Sequence, residues 1–485
     1  MKKPRIALIG IDGLGWNLLL GYSDIFRSTL EIMRNGIKGI CISIPPYTPP
    51  SWISISTGVN PIRHGIFSSF KIDIEGVKPI SSYDIEFPRI SEILALNNYV
   101  CLVINHIFSY PPEGWMLKNH IIIHDDFSPK DFIYPSFLKP MMKYFRRSYK
   151  RFMKGDKKII EYLKKYLTTK VIGIHELIDS VSPDFMWVMF KEVDTLSHYM
   201  PFLADGIYSS KVADLIEILD NFIRDISHTF NYIAIVSDHG FNMYTNRINI
   251  WGILRRYGFI RESNLKGSVI SLLLSLKVSS LILRAFYLKP SSIKAMYSLR
   301  GLFNKIHASK EKKPKSRTNK LPLIIMDPID SDDAFMIHVA DFKYAKILYM
   351  ILKCYKKEFF KDVILFKKGN IYHIILIPKD NYHFMNDKKL SKREIIYFPS
   401  ARHDPRGVFI LKGYRHIDMV NNRSFIINLR NTDVMPTLLS CANIPIPFHI
   451  NGKSLLCKNK VKTENYISRW RLIVKLQRLR RGMNS

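Results

Sequence analysis

Residues 5–13, Arg5-Ile6-Ala7-Leu8-Ile9-Gly10-Ile11-Asp12-Gly13, hold a short apolar run that stops at a carboxylate next to a glycine. A run this short, apolar at consecutive rather than alternate positions, reads as a strand buried on both faces of a parallel sheet. The same pattern recurs at Val100–Asn105, Phe185–Phe190, Tyr232–Ser237 and Val408–Leu411. Helical patterns lie between these runs, at Arg89–Leu96, Ile159–Ile178 and Lys211–Thr229. Strands alternating with helices predict an α/β protein with a mostly parallel central sheet flanked by helices.

Composition narrows the class. With 47% hydrophobic and 24% charged residues, the chain is not a mainly disordered one. The formal charge of +32, from 73 Lys+Arg against 41 Asp+Glu, leaves nucleic acid, an anionic membrane and an anionic small substrate all open as partners. Cys41, Cys101, Cys354, Cys441 and Cys457 are far apart and form no CxxC, which excludes a zinc ribbon and a redox pair. They read as free thiols in a reducing compartment, so a cytoplasmic location is expected. Asp12 interrupts the apolar run that would otherwise resemble a leader peptide. The longest apolar stretch, Val269–Leu288, is broken by Lys277 and Arg284, so no transmembrane segment is expected.

Two regions depart from the strand–helix rhythm. Residues 130–170 are rich in Lys, Arg, Tyr and Phe and read as a helical cap insertion. Residues 263–399 open with an apolar helical stretch, continue through a Lys- and Pro-rich linker at 310–315, and end in a compact αβ pattern. We expect a catalytic domain in two parts, 1–262 and 400–457, around this inserted, smaller αβ segment. The tail, 458–485, reads as a basic amphipathic helix: between Lys458 and Arg481 it has nine bases against one acid, Glu464, interleaved with Trp470, Leu472, Val474 and Leu476. Peripheral contact of this tail with an anionic membrane or with nucleic acid is expected.

In an open α/β sheet, ligands bind beyond the carboxyl ends of the strands. Asp12 follows the first strand, Asp194 and His198 follow Phe185–Phe190 at helical spacing, and Asp238-His239 follow Tyr232–Ser237. His403 comes just before the Val408 strand. Each alone has a plain structural explanation as a turn, cap or buried residue. Three carboxylates and three imidazoles on one rim instead point to a site for two metal ions. Gly10-Ile11-Asp12-Gly13-Leu14-Gly15 has the wrong glycine spacing for a dinucleotide loop and would set Asp12 against a pyrophosphate.

Tyr47-Thr48-Pro49-Pro50-Ser51-Trp52 adds a hydroxyl. Thr48 precedes a proline and is held extended, while the prolines suit the first turn of a helix reaching about Ser56. A hydroxyl at that amino end, bound to a metal, can attack phosphorus. Ser43, Ser51, Ser54 and Thr57 are nearby hydroxyls without this placement.

These blocks resemble the alkaline phosphatase superfamily, in particular its nucleotide pyrophosphatase/type I phosphodiesterase family. The resemblance rests on Ile6–Gly13, Thr48 through Thr57-Gly58 to His64-Gly65-Ile66, Asp194–His198 and Val236-Ser237-Asp238-His239-Gly240. Arg402–Phe409, Thr432–Thr437 and Asn451-Gly452 support it, and it covers roughly residues 4–262 and 400–456. It implies an alkaline phosphatase-like fold and Thr48 as nucleophile, nine residues before the Thr57-Gly58 pair. By the same resemblance, one metal is held by Asp12, Thr48, Asp238 and His239 and the other by Asp194, His198 and His403. Both are usually zinc in the family, which agrees with three imidazole ligands.

The implied activity is hydrolysis of phosphodiester or pyrophosphate bonds, on an anionic phosphodiester or nucleotide-type substrate. Relatives acting on nucleotides often carry Asn three residues after the nucleophile. This chain has Ser51 there, whose hydroxyl is the expected substrate-binding group. A phosphotransferase or phosphomonoesterase on the same site is an alternative. So is a basic nucleic-acid or membrane-surface binding protein with a degenerate site, to which Arg146-Arg147…Lys150-Arg151 and the tail would belong.

Overall fold

The fold is known from a computed structural model. It describes residues 3–73, 76–112, 119–125, 128, 131–146, 156–257, 259, 324–326, 335–384, 394–413, 426–456 and 466–479. Val269–Leu288, the 310–315 linker and residues 147–151 of the basic run lie outside the described residues.

The central sheet has nine strands, in the order Ile427–Arg430, Ile37–Ile42, Arg406–Gly413, Tyr232–Val236, Ile6–Ile11, Phe185–Phe190, Cys101–Ile104, His120–Ile123 and Ile133–Tyr134. Within it, Arg406–Gly413 and Ile133–Tyr134 run against the other strands. Arg406–Gly413 contains the Val408 run expected in the parallel set; it is reversed because it continues Ile395–Asp404, which runs antiparallel to Gly240–Ile248, the strand that follows Tyr232–Val236.

Ile6–Ile11 is central and wholly buried, paired in parallel on both edges. Ile6 aligns with both Tyr232 and Phe185, so the three strands end level with one another. Asp12, Lys191 and Ser237 therefore leave the sheet at one rim. Alternate side chains feed two cores: Ala7, Ile9 and Ile11 face one layer, while Ile6 and Leu8 face the other. Helices Asp156–Val181 and Ser210–Thr229 cover the first face. Thr48–Thr57, Ile90–Leu96 and Val434–Cys441 cover the second. Residues 130–170, expected as a helical cap, supply the edge strand Ile133–Tyr134 and enter the long helix, whose Leu163 and Leu167 are buried in the first core.

The inserted segment contains a four-stranded antiparallel sheet, in the order Ile324–Met326, Phe335–Val339, Ile371–Pro378 and Phe360–Lys368. Helix Phe342–Cys354 packs Ala345, Leu348 and Leu352 onto it. Its core is shared with Ile250, Ile253 and Leu254 of the main chain, and Lys368 Nζ donates to the Arg63 carbonyl at 3.2 Å. Strands Tyr382–Phe384 and Ile395–Asp404 flank Gly240–Ile248 in a separate three-stranded sheet, so the boundary expected at 399 falls inside a strand.

Helix Tyr466–Leu479 in the tail buries Tyr466, Trp470 and Val474, one turn apart, with Tyr466 in the second core layer. Trp470 Nε1 donates to the buried Glu92 carboxylate at 2.8 Å. Among the described residues no helix is long and apolar enough to cross a membrane.

Candidate active site

Thr48 opens the helix Thr48–Thr57, with Tyr47 as its extended cap residue. Trp52 presses this helix onto the first strand at Gly10, where a Cβ would stand 2.6 Å from the indole Cη2. His64 fixes the far half: its Nδ1 accepts from the Ile66 amide at 3.0 Å, so its Nε2–H donates to Ser54 Oγ, also at 3.0 Å. Burial pushes the His64 imidazole down to about 3, which keeps it neutral in this role. Pro49 and Pro50 have no N–H, and the Ser51 amide donates to the Tyr47 carbonyl at 3.1 Å. The helix end thus offers an anion little beyond the Thr48 amide and the dipole. The Ser51 hydroxyl is buried and donates to the Pro45 carbonyl at 3.2 Å.

Two groups of ligating atoms meet beside Thr48. In the first, His239 Nε2 is 3.4 Å from Asp12 Oδ1 and 3.4 Å from Asp238 Oδ2. Thr48 Oγ1 is 3.5 Å from Asp12 Oδ1 and 3.4 Å from His239 Nε2. In the second, Asp194 Oδ1 is 3.3 Å from His198 Nε2 and 3.5 Å from His403 Nε2, and the two Nε2 atoms are 3.0 Å apart. Donors at bond lengths near 2 Å around a tetrahedral ion are separated by about 3.3 Å. Both groups have that spacing. The structure thus brings together all seven predicted ligands, and Asp12 Oδ2, Asp194 Oδ1 and Asp238 Oδ2 are buried without a hydrogen-bond partner.

The imidazoles are oriented for ligation. His239 Nδ1 lies 3.2 Å from the Gly240 carbonyl and His403 Nδ1 lies 3.2 Å from that of Pro46. A carbonyl only accepts, so both Nδ1 atoms carry the proton and both Nε2 lone pairs face the carboxylates. The two rings stack at 3.8 Å. Phe241 stands edge-on to His198, His239 and His403, with centroids at 5.1, 5.8 and 4.8 Å. Gly13 adopts φ +76°, and a Cβ there would lie 2.9 Å from Asp194 Cα. Glycine is what lets the Asp12 loop approach the helix carrying Asp194.

Charge is out of balance in this cluster. Burial, reinforced by the Asp194 charge, pushes Asp12 up to about 7. Burial, then the charges of Asp12 and Asp194, raises Asp238 well above the usual carboxylate range. Burial also works to raise Asp194, but His198 and then His403 overcome it and hold that carboxyl well below the usual range. Carboxylates packed this closely ionise together only with added positive charge, which divalent cations supply. The residues fit two such ions.

A profile described as Type I phosphodiesterase / nucleotide pyrophosphatase matches residues 6–406. The chain belongs to this family. No curated protein matches its sequence. Among solved structures, phosphonoacetate hydrolase from Sinorhizobium meliloti 1021, in complex with phosphonoformate, is 14% identical with a TM-score of 0.58, and the match covers 91% of this chain and 100% of that one. Murine ectonucleotide pyrophosphatase / phosphodiesterase 5, in complex with AMP, is 11% identical with a TM-score of 0.51, covering 91% and 96%. The human counterpart of the latter is 13% identical with a TM-score of 0.51, covering 93% and 97%. These likenesses show the fold expected from the sequence. As a type I phosphodiesterase / nucleotide pyrophosphatase family member, the protein is a metal-dependent hydrolase of phosphoester bonds.

Several residues of the site escape sequence reading. Phe241, two positions after His239, carries no signal beyond its place in a strand. The Pro46 carbonyl, which orients His403, is a backbone group and invisible in a sequence. Lys170 and Glu192, buried where the helix carrying Asp194 begins, look like ordinary helix-surface charges.

Proposed function

We propose that the protein hydrolyses a phosphodiester or pyrophosphate bond with Thr48 as nucleophile and two metal ions. One ion is assigned to Asp12, Thr48, Asp238 and His239, the other to Asp194, His198 and His403. The observation that carries this reading is Thr48 Oγ1 lying within 3.5 Å of both Asp12 Oδ1 and His239 Nε2. Zinc suits the mixed carboxylate and imidazole donors at tetrahedral spacing. When bound, such ions lower the pKa of a nearby hydroxyl and neutralise phosphoryl oxygens.

The chain's own residues supply position. Thr48 is held at a buried helix end, and Trp52 on Gly10 and His64 on Ser54 prevent that helix from sliding. Attack by Thr48 Oγ1 forms a P–O bond to the threonine as the ester P–O bond breaks, and the departing oxygen takes up a proton. Water then hydrolyses the phosphothreonine ester and restores the hydroxyl. Ser51 is assigned to the phosphoryl group, a role in which its hydroxyl turns from the Pro45 carbonyl toward the substrate. Turnover of a bis-aryl phosphate by zinc-loaded protein at least about tenfold above that of the mono-aryl ester supports this assignment. The opposite ranking sinks the diesterase reading.

A second reading concerns the partner of the tail. Helix Tyr466–Leu479 buries its Trp470 side, yet Leu472 and Leu476 remain 58% and 51% exposed beside the exposed Arg469, Arg471 and Lys475. Leucines and cations without an acid on one outward face fit an anionic bilayer better than nucleic acid. Co-sedimentation with phosphatidylglycerol vesicles should fall about tenfold in a Leu472→Gln/Leu476→Gln variant. Equal binding by parent and variant refutes it.

A further inference from the structure

We propose that Lys170 and Glu192 are positioning residues that set where Asp194 and His198 stand relative to Asp12; this rests on the two-metal reading. Lys170 comes from the middle of helix Asp156–Val181, and Glu192 opens helix Glu192–Tyr199, which carries Asp194 and His198. Their side chains are 1% and 0% exposed, with Nζ 3.5 Å from Glu192 Oε1. Lys170 Nζ also donates to the Met189 carbonyl at 2.8 Å and lies 4.5 Å from the centre of the Phe190 ring. One ammonium thus ties the last residues of the strand to the first residue of the helix, across the turn at Lys191.

Stability does not account for such a pair. Two buried charges lose hydration about equal to what they regain, and apolar residues of similar volume do as well or better. Location accounts for it. Asp194 sits two residues beyond Glu192, so a change in the pitch of that first turn moves its carboxylate directly. On its other side, the Asp194 backbone is 2.9 Å from where a Cβ of Gly13 would be, and no slack exists there. The second group of ligating atoms spans only 3.0 to 3.5 Å, so a displacement near 1 Å opens it. Asp238 and His239 of the first group follow Tyr232–Val236, whose ladders run to Ile6–Ile11 and Arg406–Gly413 and not to the strand that Lys170 holds; Asp12 is nearer, its amide donating to the Phe190 carbonyl at 2.8 Å.

The test compares metal-stripped parent with a Lys170→Met/Glu192→Leu variant, titrated calorimetrically with zinc alone. The parent should take up two ions. The variant should melt without metal within about 5 °C of the parent, since the swap conserves volume. One of its two zinc affinities should fall by about 10–100-fold while the other holds. Cobalt in place of zinc should show a changed visible spectrum for the weakened ion only. Lys170→Arg, which keeps the charge but moves the donor, should show the same selective loss by a smaller factor, and it decides the matter if the double variant does not fold. Zinc affinities equal to the parent's, or weakened equally at both sites, overturn the inference while leaving the two-metal reading in place. A parent that takes up no zinc sinks the two-metal reading and this inference with it.

Discussion

Among the described residues two histidine clusters invite comparison, and they do opposite things. At the rim of the main sheet, His198, His239 and His403 face three carboxylates whose outer oxygens have no hydrogen-bond partner. In the inserted sheet, His338 and His373 face each other from paired strands, Nδ1 to Nδ1 at 2.8 Å, with Phe366 stacked on His373. Both clusters are imidazole-rich, with His239, His403, His338 and His373 all buried. The difference lies in charge. In the inserted sheet one imidazole donates to the other and both stay neutral, because burial pushes His338 down to about 3 and His373 to about 4. At the rim the carboxylates bring negative charge that no described hydrogen bond balances. Histidine density therefore does not by itself mark a candidate metal centre; unsatisfied carboxylate oxygen beside oriented Nε2 does.

The largest effect expected from this contrast is at the proposed nucleophile. Thr48→Ala should lower turnover by roughly 10⁴-fold or more, while elemental analysis still finds about two metals per chain. Retained activity would remove Thr48 from its role. Next come the ligands. His403→Ala and Asp238→Asn should each weaken one metal by about 100-fold, whereas a His338→Leu/His373→Leu variant should keep full metal content. Metal loss in the latter would erase the distinction between the clusters.

The smallest effect concerns pH. The imidazoles of His338 and His373 are depressed below the usual 6.5, so above that pH neither folded nor unfolded chain gains a proton there. As pH falls from about 6.5 toward 4, the unfolded chain takes up protons that the fold refuses, and stability drops. The melting temperature of the parent should therefore fall more steeply over that window than that of His338→Leu/His373→Leu. Parallel slopes would show that the pair is not held neutral by burial.

Much of the site was legible because one rule suffices: in a parallel sheet, polar residues just after buried runs collect at one rim. Asp12, Asp194, His198, Asp238 and His239 follow from it directly. His403 does not, since it ends the strand Ile395–Asp404, whose partner Gly240–Ile248 lies far upstream. That long-range pairing also explains why a segment boundary read at 399 cuts a strand. Lys170 was illegible for a similar reason: helical periodicity marks which face is apolar, but not that a lysine will be drawn into the core by a carbonyl and a carboxylate from another layer.

The tail shows the same limit. Its basic, amphipathic character is plain in the sequence, yet a hydrophobic face can meet either a membrane or the protein itself. Contact with Glu92 assigns Trp470 to the protein and leaves Leu472 and Leu476 outside. By itself, then, the sequence determined the sheet, its layers and the chemistry gathered at its rim, because burial pattern and strand-end position are local properties of the chain. Only the tertiary structure decided how the candidate ligand atoms are spaced and which imidazole nitrogens face the carboxylates, because those depend on contacts between residues far apart in sequence.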